Sequence, residues 1–284
     1  MKSIIVPIDF SNESLQGLEM ALLFAKKMSV NIQMTYVQKS STDYRPGSFE
    51  EEHRYAEAEF EKIIKKYSPE LKNDSRLRFI IKKGKIYEEI IEQAESYKDS
   101  FICASTHGAS GFEEFFIGSN AYKVITGTEN PVITVRKKAP GEIKTIVVPL
   151  RLHVDTRQKV PHAADMADIF KAQIHLISVT TVTNKQDTSR LNAYLMPSQD
   201  YLKKKGFQPV VKKLVGDNSV ALVQNYCHAV DANMVVVMTS QRGSMSLLTG
   251  SYAHNMVSRS NIPVLSITAK EKHLPAGFAT RGYR

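Results

Sequence analysis

The sequence contains the same pattern twice, and this constrains the fold more than any other feature. IIVPI at 4–8 recurs as IVVPL at 146–150, and NIQMTYV at 31–37 recurs as QIHLISV at 173–179, both 142 residues later. KKG at 82–84 matches LVG at 214–216, and GSNAYKVITGTENPVITV at 118–135 matches GSYAHNMVSRSNIPVLSI at 250–267, both 132 residues later. One shortening by ten residues in the second copy accounts for every match. We therefore predict a tandem duplication, with domain 1 at 1–139, domain 2 at 142–269 and a tail at 270–284.

Each copy alternates short apolar strands with helical patterns. In the first copy the pattern predicts strands at 2–8, 31–37, 77–83, 100–104 and 131–136, and helices from about Asn12 and at 49–67, 86–98 and 119–127. Near-continuous apolar strands that alternate with helices are typical of parallel sheets covered on both faces. The predicted class is α/β, with two tandem doubly wound (Rossmann-like) domains, each with a five-stranded, mainly parallel sheet. In the second copy we expect a shorter second region that Pro197 interrupts.

Composition excludes several classes of protein. No apolar run approaches the ~20 residues of a membrane-spanning helix, and Lys2 is followed by a strand-like run rather than by a signal peptide. Cys103 and Cys227 each lie in an apolar segment, so we expect two core thiols of a reduced, cytoplasmic protein. The eight histidines lack ligand spacing, and no metal site is predicted.

The net charge of +9 is unevenly distributed along the chain. Residues 1–141 contain 20 Lys and Arg against 20 Asp and Glu, whereas residues 142–284 contain 18 against 9. Such an excess attracts nucleic acid or an acidic partner, or it is a solvated basic surface. The basic residues are dispersed without interleaved aromatic residues, which favours the solvated surface over nucleic-acid binding.

Special residues follow four strands of the first copy. Asp9 ends the first strand, Val37 the second, Gly84 the third, and residues 105–108 follow the fourth. In doubly wound sheets, ligands bind outside the carboxyl ends of the strands where strand order reverses. Gly118 and Ser119 then begin a helix, whose unpaired N–H groups favour an anion. Two alternatives stay open: the glycines serve loop geometry alone, and Asp9 is an N-cap of the helix that begins near Asn12.

These segments resemble the universal stress protein family over nearly the whole chain. The resemblance rests on Ile5-Val6-Pro7-Ile8-Asp9, on Ser105-Thr106-His107-Gly108 followed after nine residues by Gly118-Ser119, and on Asn130-Pro131-Val132. Members with a G-2x-G-9x-G-S/T loop bind ATP, and here Ser105 replaces the first glycine. The resemblance implies that Asp9 and the backbone of Val37 face adenine and ribose, and that Gly108, Gly118 and Ser119 hold phosphates. The expected site for ATP, with or without magnesium, consists of Pro7, Ile8, Asp9, Val37, Gly84, Ser105, Thr106, His107, Gly108, Gly111, Gly118, Ser119 and Asn120.

The second copy departs from this motif. Arg151 stands in place of Asp9, Val237 in place of Ser105, and Ser240 in place of Gly108, whereas Gly243, Gly250 and Ser251 persist. Arginine cannot accept a hydrogen bond, and added side chains crowd a phosphate. We expect this half to bind ATP weakly or not at all; it holds an anion instead, or serves as a packing partner.

Three functions follow as hypotheses. The first is a stress-response sensor or switch that binds ATP or a related adenine nucleotide in domain 1. The alternatives are a nucleotide-free protein-interaction module and a weak nucleotide hydrolase. No catalytic residue is assigned, because His107 beside Ser105 lacks a third member. The resemblance also implies that the edge strands Pro131–Val135 and Pro263–Ile267 pair within the chain as a pseudo-dimer; homodimer formation is left open.

Overall fold

The chain forms two compact units, Met1–Ala139 and Pro140–Arg284. The structure is a computed structural model that describes residues 2–39, 48–72, 74–107, 117–152, 154–180, 185–239 and 252–269. Within these residues, none of the helices combines the length and the apolar character needed to cross a membrane. We refer to the two parts as the first unit and the second unit.

The first unit alternates strands and helices as predicted. Its strands are β1 (Lys2–Pro7), β2 (Val30–Lys39), β3 (Arg76–Gly84), β4 (Ser100–Ser105) and β5 (Val132–Val135). Its helices are α1 (Asn12–Ala25), α2 (Ser48–Tyr67), α3 (Ile86–Glu95) and α4 (Ser119–Gly127). The predicted bounds differ from these by one to three residues, as expected where helix ends fray.

The sheet of the first unit reverses its strand order at β1. The order is β3-β2-β1-β4-β5, and every neighbouring pair is parallel. The chain builds outward from β1 through β2 to β3, and then returns to the other side of β1 with β4. The β1–β2 ladder extends from Lys2↔Val30 to Pro7↔Thr35, whereas the β1–β4 ladder ends at Ile5↔Ile102. The two central strands therefore part near their carboxyl ends, where a doubly wound sheet forms its ligand crevice.

Close packing of α1 against β4 shapes this region. Ser11 caps α1, since its hydroxyl oxygen accepts a hydrogen bond from the main-chain N–H of Ser14 at 3.1 Å. At Gly17 the helix approaches the strand so closely that a Cβ would lie 2.9 Å from the carbonyl oxygen of Cys103. Both cysteines, Cys103 and Cys227, are buried and free, and burial raises the pKa of both thiols. Their prediction as core residues is confirmed.

The second unit repeats the topology of the first. Its strands are β6 (Thr145–Leu150), β7 (Gln173–Thr180), β8 (Val210–Val215), β9 (Met234–Thr239) and β10 (Val264–Thr268), and its helices are α5 (Val160–Phe170), α6 (Lys185–Lys204), α7 (Ser219–Ala229) and α8 (Tyr252–Arg259). The strand order is β10-β9-β6-β7-β8, again parallel throughout. Ser3↔Asn31 of the first unit and Thr145↔Gln173 of the second lie at the same offset. The predicted doubly wound α/β class is confirmed.

The expectation that Pro197 interrupts the second region was wrong. Helix α6 continues through Pro197 and has the same 20 residues as α2. Proline removes one main-chain donor and pushes on the preceding turn. Here the hydroxyl of Ser198 donates to the carbonyl oxygen of Tyr194 at 2.7 Å, which satisfies an acceptor beside the proline. The shortening lies instead in the connections, since residues 181–184 join β7 to α6 where residues 40–47 join β2 to α2.

Candidate functional site

A cleft of about 500 Å³ opens at the carboxyl ends of β1, β2 and β4. It lies where β1 and β4 part, and the starts of α1 and α4 complete its walls. Its lining, taken in chain order, is Pro7, Ile8, Asp9, Ser14, Thr35, Tyr36, Val37, Glu52, Ile86, Ile90, Ala104, Ser105, Thr106, His107, Gly118, Ser119, Asn120, Ala121 and Val124. The cleft therefore has a polar rim and an apolar wall supplied by α3 and α4.

The structure brings together most of the residues expected at the site. Pro7, Ile8, Asp9, Val37, Ser105, Thr106, His107, Gly118, Ser119 and Asn120 all line the cleft. Gly108 and Gly111 lie outside the described residues. Gly84 is described but does not line this cleft. A Cβ at Gly84 would lie 2.5 Å from Oε1 of Glu89, whose carboxylate pairs with the Lys82 ammonium at 2.8 Å, so this glycine makes room for an ion pair.

Asp9 supports the cap of α1 but is not the cap itself. Its Oδ1 accepts hydrogen bonds from the main-chain N–H of Ser11 at 3.1 Å and from the hydroxyl of Ser11. The side chain is exposed and lies at the cleft. Of the two roles left open by the sequence, the N-cap belongs to Ser11, and the Asp9 carboxylate orients that serine from the cleft side.

The turn after β1 is held by an aromatic cluster. Phe10 has φ of +64°, an unusual conformation for a bulky residue that costs of order 1 kcal/mol or more. Its ring centroid lies 5.1 Å from that of Tyr36, 5.8 Å from that of Tyr55 and 5.0 Å from that of Phe60. Aromatic pairs at such distances stabilise a structure beyond their buried area. This packing offsets the strained backbone and fixes the turn that carries Asp9.

A second carboxylate, that of Glu52 on α2, lies at the cleft and was missed by sequence reasoning. The hydroxyl of Tyr36 donates to Glu52 Oε1 at 2.6 Å, and Nε2 of Gln38 donates to Glu52 Oε2 at 3.2 Å. Both donors lie at the end of β2. In the sequence Glu52 belongs to a run of three glutamates in a charged helix, and only the tertiary contact with β2 distinguishes it from its neighbours.

The end of β4 is fixed by short hydrogen bonds. The main-chain N–H of Thr106 donates to the carbonyl oxygen of Val135 at 3.1 Å, and that of Gly118 donates to the carbonyl oxygen of Thr106 at 2.8 Å. Nδ1 of His107 lies 2.9 Å from Oγ1 of Thr106, and the main-chain N–H of His107 donates to Oγ of Ser105 at 3.2 Å. The imidazole is thus oriented by Thr106, and Ser105 is oriented by the backbone rather than by the imidazole.

The start of α4 presents main-chain donors to the cleft. Gly118 is the N-cap residue and makes no side-chain capping hydrogen bond. A Cβ at Gly118 would lie 3.2 Å from the carbonyl oxygen of Thr106. The described lining includes Asp9 and Glu52 but no lysine or arginine. An anionic group in this part of the cleft would therefore depend on the N–H groups and the positive dipole end of α4.

Comparison with known proteins identifies the family. The model of the "Universal stress protein family" matches residues 1–136 and again residues 142–267. The chain belongs to the universal stress protein family. It contains the family domain twice, once in each unit.

Individual universal stress proteins are more distant. One from Methanocaldococcus jannaschii is 28% identical over 144 residues, which cover 48% of this chain and 82% of that protein. The crystal structure of a universal stress protein from Archaeoglobus fulgidus has a TM-score of 0.79 at 19% identity and covers 94% of this chain and 98% of that chain. A putative universal stress protein from Pseudomonas aeruginosa has a TM-score of 0.66 at 16% identity, with coverage of 94% and 93%. At these identities the two structures show the fold alone.

In the second universal stress protein unit, side chains meet where the first unit has its cleft. At the offsets of 142 and 132 residues, Arg151 corresponds to Asp9 and Tyr252 to Asn120. The guanidinium carbon of Arg151 lies 4.2 Å from the ring centroid of Tyr252. Val237 is fully buried in β9; Ser240, Gly243, Gly250 and Ser251 lie outside the described residues. Two positions that line the cleft in the first unit are thus in mutual contact in the second.

Proposed function

We propose that the first unit binds ATP or a related adenine nucleotide in its cleft, and that the chain acts as a stress-response sensor or switch. The observation that carries this proposal is the convergence of residues from four separate segments on one crevice at the strand-order reversal. Asp9, Val37, Ser105 and Gly118 are far apart in sequence and line the same cleft. Their positions agree with what the family resemblance implies for a nucleotide.

The dimensions and chemistry of the cleft support a nucleotide. Small-molecule sites commonly have volumes of roughly 300–1,000 Å³, and this cleft has about 500 Å³. Ile86, Ile90 and Val124 supply an apolar surface suited to a base. The start of α4 supplies main-chain donors for phosphate oxygens, and magnesium would offset the charge that a triphosphate adds beside Asp9 and Glu52.

The second unit does not share this role in our proposal. Arg151 brings a donor-only side chain to the position of Asp9, and its contact with Tyr252 fills space that is part of the cleft in the first unit. This filling favours the second hypothesis, a protein-interaction surface, for the second unit alone. The pairing of the two units through their edge strands stays a prediction.

Calorimetry of the full chain with ATP, ATP plus magnesium, and AMP tests the proposal. The site variant is Gly118→Val, which adds bulk where a Cβ already lies 3.2 Å from a carbonyl oxygen; the matched control is Gly141→Val, where a Cβ meets nothing within 4 Å. We expect saturable binding by the wild type and by Gly141→Val, and weak binding by a folded Gly118→Val. A flat titration of the wild type, together with no nucleotide in mass spectra of protein purified without added ligand, would contradict the proposal. Phosphate release from the same samples separates binding from hydrolysis.

A further inference from the structure

Cationic side chains are buried together at the start of the second unit's first helix. Lys159 is 1% exposed and Arg157 is 4% exposed, and Arg151 at the end of β6 is partly buried. Arg157 ends a 3-10 turn (Val154–Arg157), and Lys159 immediately precedes α5. Lysine and arginine are almost never fully buried unless they are paired. This turn therefore requires an explanation.

These cations have few partners. Nζ of Lys159 donates to Oγ1 of Thr156 at 3.3 Å. The guanidinium of Arg157 lies over the ring of Tyr194 at 4.9 Å, and its buried Nε has no hydrogen-bond partner. Over the described part of the chain, no carboxylate forms an ion pair with Arg151, Arg157 or Lys159. Burying an unpaired charge is costly, whereas a hydrogen-bonded counter-charge offsets much of that cost.

The electrostatics point in the same direction. Burial, reinforced by the positive charge of Arg151, lowers the pKa of Lys159 from 10.5 to about 7. Burial likewise lowers the pKa of Arg151. The two cations are close enough to repel each other, and an anion between them would remove that repulsion.

Comparison of the units shows how this cluster arose from the same framework. Thr156 corresponds to Ser14 and Lys159 to Gly17. The first residues of α1 are helical, but their counterparts form the 3-10 turn, and α5 begins only at Val160. Lysine cannot occupy the close helix–strand contact that Gly17 makes with β4. The second unit thus replaces a carboxylate and a glycine with two cations.

We propose that the second unit binds a small oxyanion of the phosphate class between Arg151 and Lys159. The guanidinium fork and the ammonium group are the side chains that hold phosphate and sulfate oxygens, and the Thr156 hydroxyl orients the lysine. The contact of Arg151 with Tyr252 occupies cleft positions of the first unit, which favours a free oxyanion over a whole nucleotide. This inference does not rest on nucleotide binding by the first unit.

Sulfate is the first probe, because it stays doubly charged across the useful pH range. Thermal unfolding of the full chain near pH 6.5 is compared in sodium sulfate and in sodium chloride of equal ionic strength. The test variants are Arg151→Gln and Lys159→Met, and the control is Lys144→Met, whose side chain is 74% exposed. Sulfate also stabilises proteins non-specifically, so the result that counts is the difference between variants. We expect the sulfate-specific rise in melting temperature to persist in the control and to disappear in both test variants.

Calorimetry then identifies the source of the oxyanion. We expect inorganic phosphate to bind the wild type at least about tenfold more tightly than it binds Lys159→Met, the loss expected when a charge-assisted contact is removed. Gly118→Val should retain phosphate binding, which separates this site from that of the first unit. Equal sulfate effects in the wild type and in Lys159→Met would overturn the proposal, as would ATP competing for this site in Gly118→Val as strongly as phosphate binds. Lys159→Met replaces a buried cation with an apolar side chain, so it should fold at least as stably as the wild type.

Discussion

The main-chain N–H of Arg151 donates a hydrogen bond to Oγ1 of Thr156 at 3.3 Å. The corresponding residues of the first unit make the same bond, from the main-chain N–H of Asp9 to Oγ of Ser14, also at 3.3 Å. The turn after the first strand is therefore the same in both units, although the residue that begins it changes from an acid to a base. The backbone framework is shared, and the ligand chemistry is set by the side chains placed on it.

Asp9 has two roles that two substitutions can separate. Asp9→Ala should lower the affinity for adenine nucleotides about tenfold, because a charged acceptor is lost. It should also lower the free energy of unfolding by about 0.5–1 kcal/mol, because Ser11 loses the partner that orients the α1 cap. Asp9→Asn keeps an acceptor oxygen for Ser11 and should retain most of the stability. Calorimetry and urea unfolding measure the two effects, and undiminished nucleotide affinity in Asp9→Ala would remove Asp9 from the site.

Gly17→Ala tests the close contact between α1 and β4. The added Cβ would lie 2.9 Å from the carbonyl oxygen of Cys103, so the helix or the strand must shift. We expect a loss of about 1–3 kcal/mol in the free energy of unfolding, the usual cost of overpacking. The control Gly141→Ala, which has open space around its Cβ, should change stability by less than about 1 kcal/mol. Equal unfolding midpoints for the two variants would show that the contact is loose.

Lys171→Gly should stabilise the second unit. Lys171 follows α5 with φ of 54° and ψ of 41°, the left-handed conformation that favours glycine at the end of a helix. Its ion pair with Asp168 is highly exposed and contributes little. We expect a gain of about 0.5–1 kcal/mol in urea unfolding. Lys26→Gly is the opposite case, because Lys26 follows α1 in a right-handed conformation; stabilisation by both substitutions would refute the conformational explanation.

The stability contributed by Lys159 should depend on pH. Its pKa is lowered from 10.5 to about 7 in the folded protein. Between these two values the unfolded chain binds a proton that the folded chain does not, so stability rises with pH across this window. The advantage of Lys159→Met over the wild type in chloride buffer should therefore shrink by about 2 kcal/mol between about pH 7 and pH 9. Urea unfolding at both pH values checks this, and a constant difference would mean that Lys159 titrates normally.

Local sequence signals were sufficient for the framework and for much of the cleft. Apolar runs located the strands, and the repeat fixed the order of elements in both units. The topology rule then placed the ends of β1, β2 and β4 together, so Asp9, Val37 and Ser105 could be assigned to one crevice without any structure. Gly118 followed from its position at the start of a helix.

Features that depend on tertiary contacts could not be predicted in this way. Glu52 reaches the cleft only because Tyr36 and Gln38 hold it, and its sequence context is an ordinary charged helix. Pro197 is a strong helix breaker by propensity, but a neighbouring serine hydroxyl and the surrounding packing keep α6 continuous. Lys159 lies in a polar stretch that predicts exposure, and its burial follows from where the 3-10 turn places it.

The parting of β1 and β4 beyond Ile5 and Ile102 has a consequence for how such a molecule can diverge. The gap results from the path of the chain through the sheet, so single substitutions can fill it, narrow it or reverse its charge without abolishing it. A polypeptide that carries the same path twice inherits two such hollows. Each hollow is free to acquire its own occupant, because altering one leaves the walls of the other intact.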